Sequence, residues 1–318
     1  MSWLLSRPTP HIPIAKAGGF TALCGKVSRH AIMIWRYFIQ SLMGDNWGST
    51  MNNRLFRFEI VAHRGIPTEA PENTLASFQR AIELGADAVE MDVRLTSDQV
   101  PVVFHYFYLE ANTSATGAVS NYSLEQLRDV EVFCRNDPEA PSGHISILQE
   151  VLDAIGGRIG VEIHIQGPEP EAPEIIGKVL LGHKKLWDSL EVTSYEPALL
   201  QIVQKICPGI ATDLLFPRSE SWMKLDAVEY LAIHSARLAH ARAVHLHPTQ
   251  LSERIVTAIR QHGIEIHAWD VNDRQSLEIV TNYGIPRICT DELKRALVFR
   301  EKILNKELPS TSPSPEGT

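Results

Sequence analysis

From residue 59 to residue 290 the chain alternates short β-branched runs with polar loops, and with stretches whose apolar residues recur every three or four positions. That alternation predicts strands joined by amphipathic helical crossovers, and so a parallel sheet with helices packed against it. Eight runs qualify as strands: 59–63, 88–94, 159–165, 190–195, 210–215, 243–247, 264–271 and 287–290. Eight is the number that closes a TIM (β/α)8 barrel. Leu75, Phe78 and Ile82 mark one helical face and Ile255 and Ile259 another. Asn73 is expected to cap the first helix and Gly85 to stop it.

One connection departs from this pattern. The stretch from Leu95 to Val100 is too short for a helix, and Pro101 to His105 reads as a further strand. Val93 to Phe104 is therefore expected to form a β-hairpin arm after the second strand, outside the barrel wall. A turn centred on Ser97 and Asp98 would pair residues whose numbers sum to about 195, bringing His105 beside Glu90.

Composition changes the picture mainly at the ends. Among 318 residues, 44% are hydrophobic and 21% charged, enough apolar surface for a substantial core. The net charge of -8 gives no overall basic footprint for nucleic acid. Residues 1–50 carry five basic side chains and one acid, which leaves the remainder at -12. That stretch reads either as a basic leader or as an over-extended translation start ahead of Met51. The Pro- and Ser-rich tail 307–318 has too little apolar surface to fold. Between them, residues 51–306 supply about 255 positions, close to the ~250 typical of this barrel. Cys24, Cys134, Cys207 and Cys289 lie far apart, which suits free thiols in an intracellular protein. No apolar run reaches the length of a transmembrane segment. Acidic bulk and unpaired thiols favour the cytoplasm, while the basic leader keeps an organelle open.

The chemistry is expected where such barrels place it, at the C-terminal ends of the strands. These ends supply His63 and Arg64, Glu90 and Asp92, Glu162 and His164, Ser194, His247, Trp269 and Asp291. Burying unpaired charges of this kind costs several kcal/mol each, so they need partners. Glu90 and Asp92 lie two apart on one face of a strand, and Glu162 follows on the next barrel strand in sequence, so three carboxylates converge. An all-oxygen set without cysteine favours one hard divalent ion, Mg2+ or Ca2+ or else Mn2+, over a structural zinc. Arg64 offers a bidentate fork for a phosphate. His63 and His105 offer two imidazoles to divide general acid and general base work. Trp269 reads as a core residue or as a wall facing substrate.

These residues carry a resemblance. His63-Arg-Gly65, Pro71-Glu-Asn-Thr74 with Phe78, Gly85-Ala-Asp87, Glu90-Met-Asp-Val93, Thr96-Ser-Asp98, Pro101-Val-Val-Phe-His105, Val161-Glu-Ile163, Trp269-Asp-Val-Asn272 and Thr290-Asp291 resemble the glycerophosphodiester phosphodiesterase family, over residues 59 to 292. The resemblance implies a TIM barrel with a metal-dependent phosphodiesterase site. It implies Glu90, Asp92 and Glu162 as metal ligands and His63 and His105 as the acid/base pair. Arg64, with His164 and Trp269, would contact substrate, and Glu72 and Asn73 would support the edge of the site. The products would be an alcohol and a phosphomonoester, glycerol 3-phosphate for a glycerophosphodiester.

The sequence also departs from that pattern. The family's His-Asp is His105-Tyr106, its Glu-x-Lys is Glu162-Ile-His164, and its Arg-Thr-Thr after the hairpin is Ala111-Asn-Thr113. A histidine in place of lysine makes the charge facing the phosphate depend on pH. An aspartate missing after His105 removes a partner that would orient the ring. Three other readings stay open: a degenerate member that binds a phosphodiester without cleaving it, a lysophospholipase D-type enzyme acting on a lysophospholipid, and an unrelated barrel hydrolase of amides or lactones. The stretch 215–232, with Phe216, Trp222 and Tyr230, faces either an acyl chain or the core.

Overall fold

The computed structural model describes residues 57–306 except 138, 168 and 221, all within the unit Gly48–Thr318. The expectations for residues 1–50 and for the tail 307–318 lie outside the described residues. In chain order the strands are β1 (Glu59–Ala62), β2 (Ala88–Leu95), β3 (Pro101–Val103), β4 (Glu131–Val132), β5 (Gly143–His144), β6 (Gly160–Ile165), β7 (Leu190–Ser194), β8 (Ala211–Leu215), β9 (Ala243–Leu246), β10 (Glu265–Ala268) and β11 (Arg287–Thr290). The helices used below are α1 (Leu75–Leu84), α2 (Arg274–Asn282) and α3 (Leu293–Lys306).

Eight strands run parallel in the order β1, β2, β6, β7, β8, β9, β10, β11, and β11 pairs back onto β1, closing a TIM barrel. These are the eight runs read from the sequence, each end within about three residues of the observed one, an ordinary error for element boundaries. Alternation along each strand explains the two chemistries in it. On β6, Val161, Ile163 and Ile165 join the main hydrophobic cluster between barrel and helices, while Glu162 and His164 face the barrel interior with Glu90 and Asp92, their register partners on β2.

The floor of the barrel is ionic. Arg242 donates to both oxygens of Asp213 and to Glu191, and Arg287 reaches Glu191 and Glu59, each at 2.7 Å. Above them His245 Nε2 lies 3.0 Å from His267 Nδ1 and 3.5 Å from Asp213, and His245 Nδ1 lies 3.6 Å from Glu162 Oε1. Interiors of this fold are more often filled with branched aliphatic residues. Here paired charges fill it, and each buried charge has an opposite partner that offsets its desolvation.

Strand β3 pairs antiparallel with β2, through Val93 with Val103, Arg94 with Val102 and Leu95 with Pro101, and on its other side Val102 bridges to Ile147. The pair numbers sum to 196, one more than expected, so Glu90 is not opposite His105. The cause is a turn of five residues, closed by Thr96 N–H donating to Val100 O at 3.1 Å, with Gln99 in the left-handed region. Beneath this arm Val102, Phe104, Leu109, Val119, Leu127, Val130, Val132 and Ile145 form a small second core.

Helix α1 also departs from expectation at its start. Its N-cap is Thr74, whose hydroxyl accepts from Ser77 N–H at 3.3 Å, and Gly85 ends it at a φ of 85°. Asn73 is not the cap because its side chain is engaged elsewhere, as described below. Phe216 is buried in the main core, whereas Trp222 and Tyr230 are exposed and line neither the core nor the catalytic cavity. Cys134, Cys207 and Cys289 are free and buried. No helix among the described residues is long and apolar enough to cross a membrane.

Candidate active site

The turn after β1 sets the site. Arg64 and Gly65 both have positive φ, 56° and 86°. A Cβ on residue 65 would stand 2.3 Å from Ser77 Oγ and 2.7 Å from the Ser77 backbone, so only glycine fits. Ser77 Oγ accepts from Ile66 N–H at 2.6 Å and donates to Arg64 O at 3.1 Å, which locks the turn onto the start of α1. His63 and Arg64 are thereby aimed at the mouth of the barrel.

His63 Nδ1 lies 2.7 Å from Asp291 Oδ1, just beyond β11, and its Nε2 lies 3.8 Å from Glu90 Oε2. Burial alone would lower the pKa of His63, but the hydrogen bond to Asp291 and the carboxylates around it raise it to about 9. Asp291 is itself fixed by Asn272 Nδ2, which donates to its Oδ2 at 2.8 Å. Arg64 serves the carboxylates: its backbone N–H donates to Glu90 at 3.1 Å and Nη1 to Glu72 at 3.3 Å, and Nε stands 3.1 Å from Asp92.

Asp92 is the most firmly held acid. Asn73, at a φ of 58°, donates through Nδ2 to Asp92 Oδ2 at 2.9 Å and accepts the Asp92 backbone N–H at 3.1 Å. His164 Nδ1 lies 2.9 Å from Asp92 Oδ1. Burial would raise the pKa of Asp92, yet the His164 hydrogen bond and the charge of Arg64 hold it far below the carboxylate range. Glu90 behaves oppositely: burial and then repulsion from Asp92 push it up to about 8. Burial likewise drives Glu162 well above the carboxylate range, against the pull of His245.

His63, Arg64, Glu90, Asp92, His105, Glu162, His164 and Trp269, eight of the residues singled out from the sequence, line one cavity of about 250 Å3, whereas Ser194, His247, Asp291, Glu72 and Asn73 are not in its lining. One grouping within it differs from the expectation. The atoms of Glu90 and Asp92 that lie within 4.8 Å of one another are joined by His164 rather than Glu162. His164 stands at the register position beside Asp92 and hydrogen-bonds to it, whereas Glu162 leans toward His245.

A divalent cation suits this donor set. Glu162 Oε2, His164 Nε2 and His105 Nδ1 are buried polar atoms without a hydrogen-bond partner, and a carboxylate-rich group favours a hard ion. His105 has lost the partner that an aspartate at 106 would offer. Its ring instead meets Tyr106 edge to face at 4.7 Å, and the Tyr106 hydroxyl accepts from Arg135. Burial lowers His105 to about 4 against the opposing charge of Asp92, with the charges of Arg64 and His63 adding to the fall.

Sequence reasoning missed the supporting roles of Asp291 and Asn272 around His63. It also missed Tyr195, Asp270, Gln166 and Leu215 in the cavity wall. The Trp269-Asp-Val-Asn272 run was the available signal for Asp270 and Asn272, since all of it follows directly on β10.

Residues 63–295 match the model of the Glycerophosphoryl diester phosphodiesterase family. A glycerophosphodiester phosphodiesterase of Caldanaerobacter subterraneus subsp. tengcongensis is 28% identical over 238 residues, spanning 73% of this chain and 93% of its own. Glycerophosphodiester phosphodiesterase 1 of Bos taurus is 27% identical over 241 residues, spanning 68% of this chain and 72% of its own. A solved phosphodiesterase of Oleispira antarctica, in complex with the product sn-glycerol-3-phosphate, superposes with a TM-score of 0.66 at 25% identity, over 76% of this chain and 96% of that one.

Proposed function

Because the chain belongs to the glycerophosphoryl diester phosphodiesterase family, we propose that this phosphodiesterase hydrolyses glycerophosphodiesters to an alcohol and glycerol 3-phosphate, using His63 and His105 as acid and base and one divalent cation. The observation that carries this reading is the single cavity joining His63, His105 and His164 with Arg64 and the carboxylates of Glu90, Asp92, Glu162 and Asp270. Glu90, Asp92 and Glu162 would hold the cation, Mg2+ or Ca2+, which when bound supplies positive charge to the phosphoryl oxygens.

The protein's own groups divide the remaining work. Arg64, held at the rim by Glu72, presents its guanidinium to the phosphate. His105 is neutral at physiological pH and accepts the proton of the attacking hydroxyl. His63, kept protonated by Asp291, donates its proton from Nε2 to the departing alkoxide oxygen as the P–O bond breaks. The proton gained at His105 and the one lost at His63 are then exchanged with solvent. Apart from Leu215, the cavity wall is made of polar, aromatic and sulfur-bearing side chains, which suits a phosphodiester headgroup better than an acyl chain.

The test is release of alcohol and glycerol 3-phosphate from glycerophosphocholine and glycerophosphoethanolamine with Mg2+, Ca2+, Mn2+ or EDTA, beside His63→Ala. Metal-dependent turnover lost in the variant supports the reading. Folded wild-type protein that turns over neither substrate with any of these ions would sink it and leave a phosphodiester-binding role.

A further inference from the structure

Three side chains converge in the barrel interior below the catalytic cavity. Asp213, His245 and His267 stand on the adjacent strands β8, β9 and β10, all of them buried, with His245 and His267 as register partners. We propose that they form a second metal site, for a divalent transition-metal ion such as Zn2+. None of the three lines the catalytic cavity, so the site is separate from the carboxylate-rich one above.

Asp213 Oδ2, His245 Nε2 and His267 Nδ1 form a triangle with sides of 3.5, 3.5 and 3.0 Å. A point just off its plane lies about 2.0–2.1 Å from all three corners, the usual distance from zinc to an imidazole nitrogen or a carboxylate oxygen. The two rings are inclined at 62° with their centroids 4.8 Å apart. Rings joined head-on by a linear N–H···N bond of 3.0 Å would stand roughly 5.3 Å apart. The nitrogens therefore meet at an angle, as two ligands on one ion do.

The donors are available. A carboxylate has about four lone-pair directions, and three of those on Asp213 are taken, by Arg242 Nε and Ala243 N–H at Oδ1 and by Arg242 Nη2 at Oδ2. The fourth is left on Oδ2, the corner of the triangle. With His245 Nε2 and His267 Nδ1 on the ion, each ring carries its proton on the other nitrogen. His245 Nδ1, a buried atom without a hydrogen-bond partner, faces Glu162 Oε1 at 3.6 Å, and His267 Nε2 faces Glu265 Oε2 at 3.7 Å. A carboxylate behind each ligating imidazole is the usual arrangement around zinc. Arg242 and Arg287 bring two positive charges to the floor, but Glu162, Glu191, Asp213 and Glu265 set four carboxyl groups against them, so a divalent ion is not repelled overall. Two nitrogens and one oxygen suit a borderline ion, where the carboxylates around Glu90 suit a harder one. The ion would tie three neighbouring strands together and, being enclosed, would enter as the barrel closes.

The test is the metal content of the full chain, produced in medium supplemented with Zn2+ and dialysed against EDTA. An enclosed ion is retained while one in the open catalytic cavity is stripped. About one equivalent of zinc should remain in the wild type and in Glu90→Gln, which removes a proposed ligand of the catalytic cation. His267→Gln should hold less than about a tenth of that. Equal retention in folded His267→Gln overturns the site. X-ray absorption at the zinc edge counts the imidazoles on the ion retained by the wild type and needs no variant to fold. Two imidazoles assign the ion to His245 and His267, whereas one or none places it among Glu90, Asp92 and His164 and overturns the site. Folded wild-type protein that retains no zinc overturns it as well, and leaves the two imidazoles sharing a proton.

Discussion

Asn73 grips Asp92 from both sides, its amide nitrogen 2.9 Å from the carboxylate and its amide oxygen accepting the same residue's backbone N–H at 3.1 Å. It does so from a backbone conformation that asparagine tolerates better than most residues. Asn73→Ala removes both hydrogen bonds to a buried acid and strains the backbone, at a cost of about 2–4 kcal/mol. Asn73→Gly relieves the strain but not the lost bonds. Chemical denaturation should therefore rank wild type above the glycine variant and that above the alanine one; equal stability of all three would refute the two-sided grip.

Asp291→Asn tests the charge behind His63. The folded-state pKa of His63 is raised to about 9, so its protonated form persists below that value and is lost above it. Removing the carboxylate lowers that pKa, and the alkaline limb of the pH–kcat profile should move toward neutrality. At pH 8 the expected loss is about 100-fold, within the usual worth of general acid catalysis. An alkaline limb that stays in place would assign the proton donation elsewhere.

Loading with Mg2+ or Ca2+ should raise Tm, because a cation bound by the folded state alone stabilises it, by about 2.7 kcal/mol at 100 times Kd. Glu162→Gln removes one of the buried carboxylates and should weaken binding of the ion, cutting the gain in Tm at a fixed ion concentration. Differential scanning fluorimetry across an ion titration measures both. A wild-type Tm indifferent to every divalent ion would rule out the proposed ligand set.

The barrel floor predicts the response to acid. Burial would raise the pKa of Asp213, but the Arg242 guanidinium and the His245 hydrogen bond hold it well below the usual range. A depressed carboxylate contributes stability in full above its unfolded pKa of about 3.9, and that contribution drains away as pH falls below it. Asp213→Asn should cost about 3–5 kcal/mol at pH 7, where it leaves Arg242 short of a partner. Between pH 5 and pH 3 the variant should lose less further stability than the wild type. Parallel denaturation curves for the two proteins across that range would show that Asp213 does not titrate in this way.

The barrel and most of the site were legible because their signals are local. A β-branched run declares a strand by itself, and Glu90-Met-Asp92 places two acids on one face through the two-residue period of a strand. Asn73 misled because its sequence position suits a helix cap equally well, and only the structure shows its amide turned toward Asp92. The hairpin register slipped by one because Gln99 takes a left-handed conformation that its residue type does not announce. The floor was not legible for a different reason. Arg242 meets Asp213 and Glu191 from positions 29 and 51 residues away, and no local pattern encodes such pairings.

The seam between β1 and β11 bears on how this enzyme is made. His63 is among the first residues of the barrel to leave the ribosome, and its partner Asp291 follows 228 residues later. Until β11 docks against β1 the barrel has two open edges and His63 lacks the carboxylate that keeps it charged. The proposed proton donor is therefore completed only near the end of synthesis. A chain interrupted before Asp291 would carry the three carboxylates proposed as ligands and both histidines, and still lack the partner of His63.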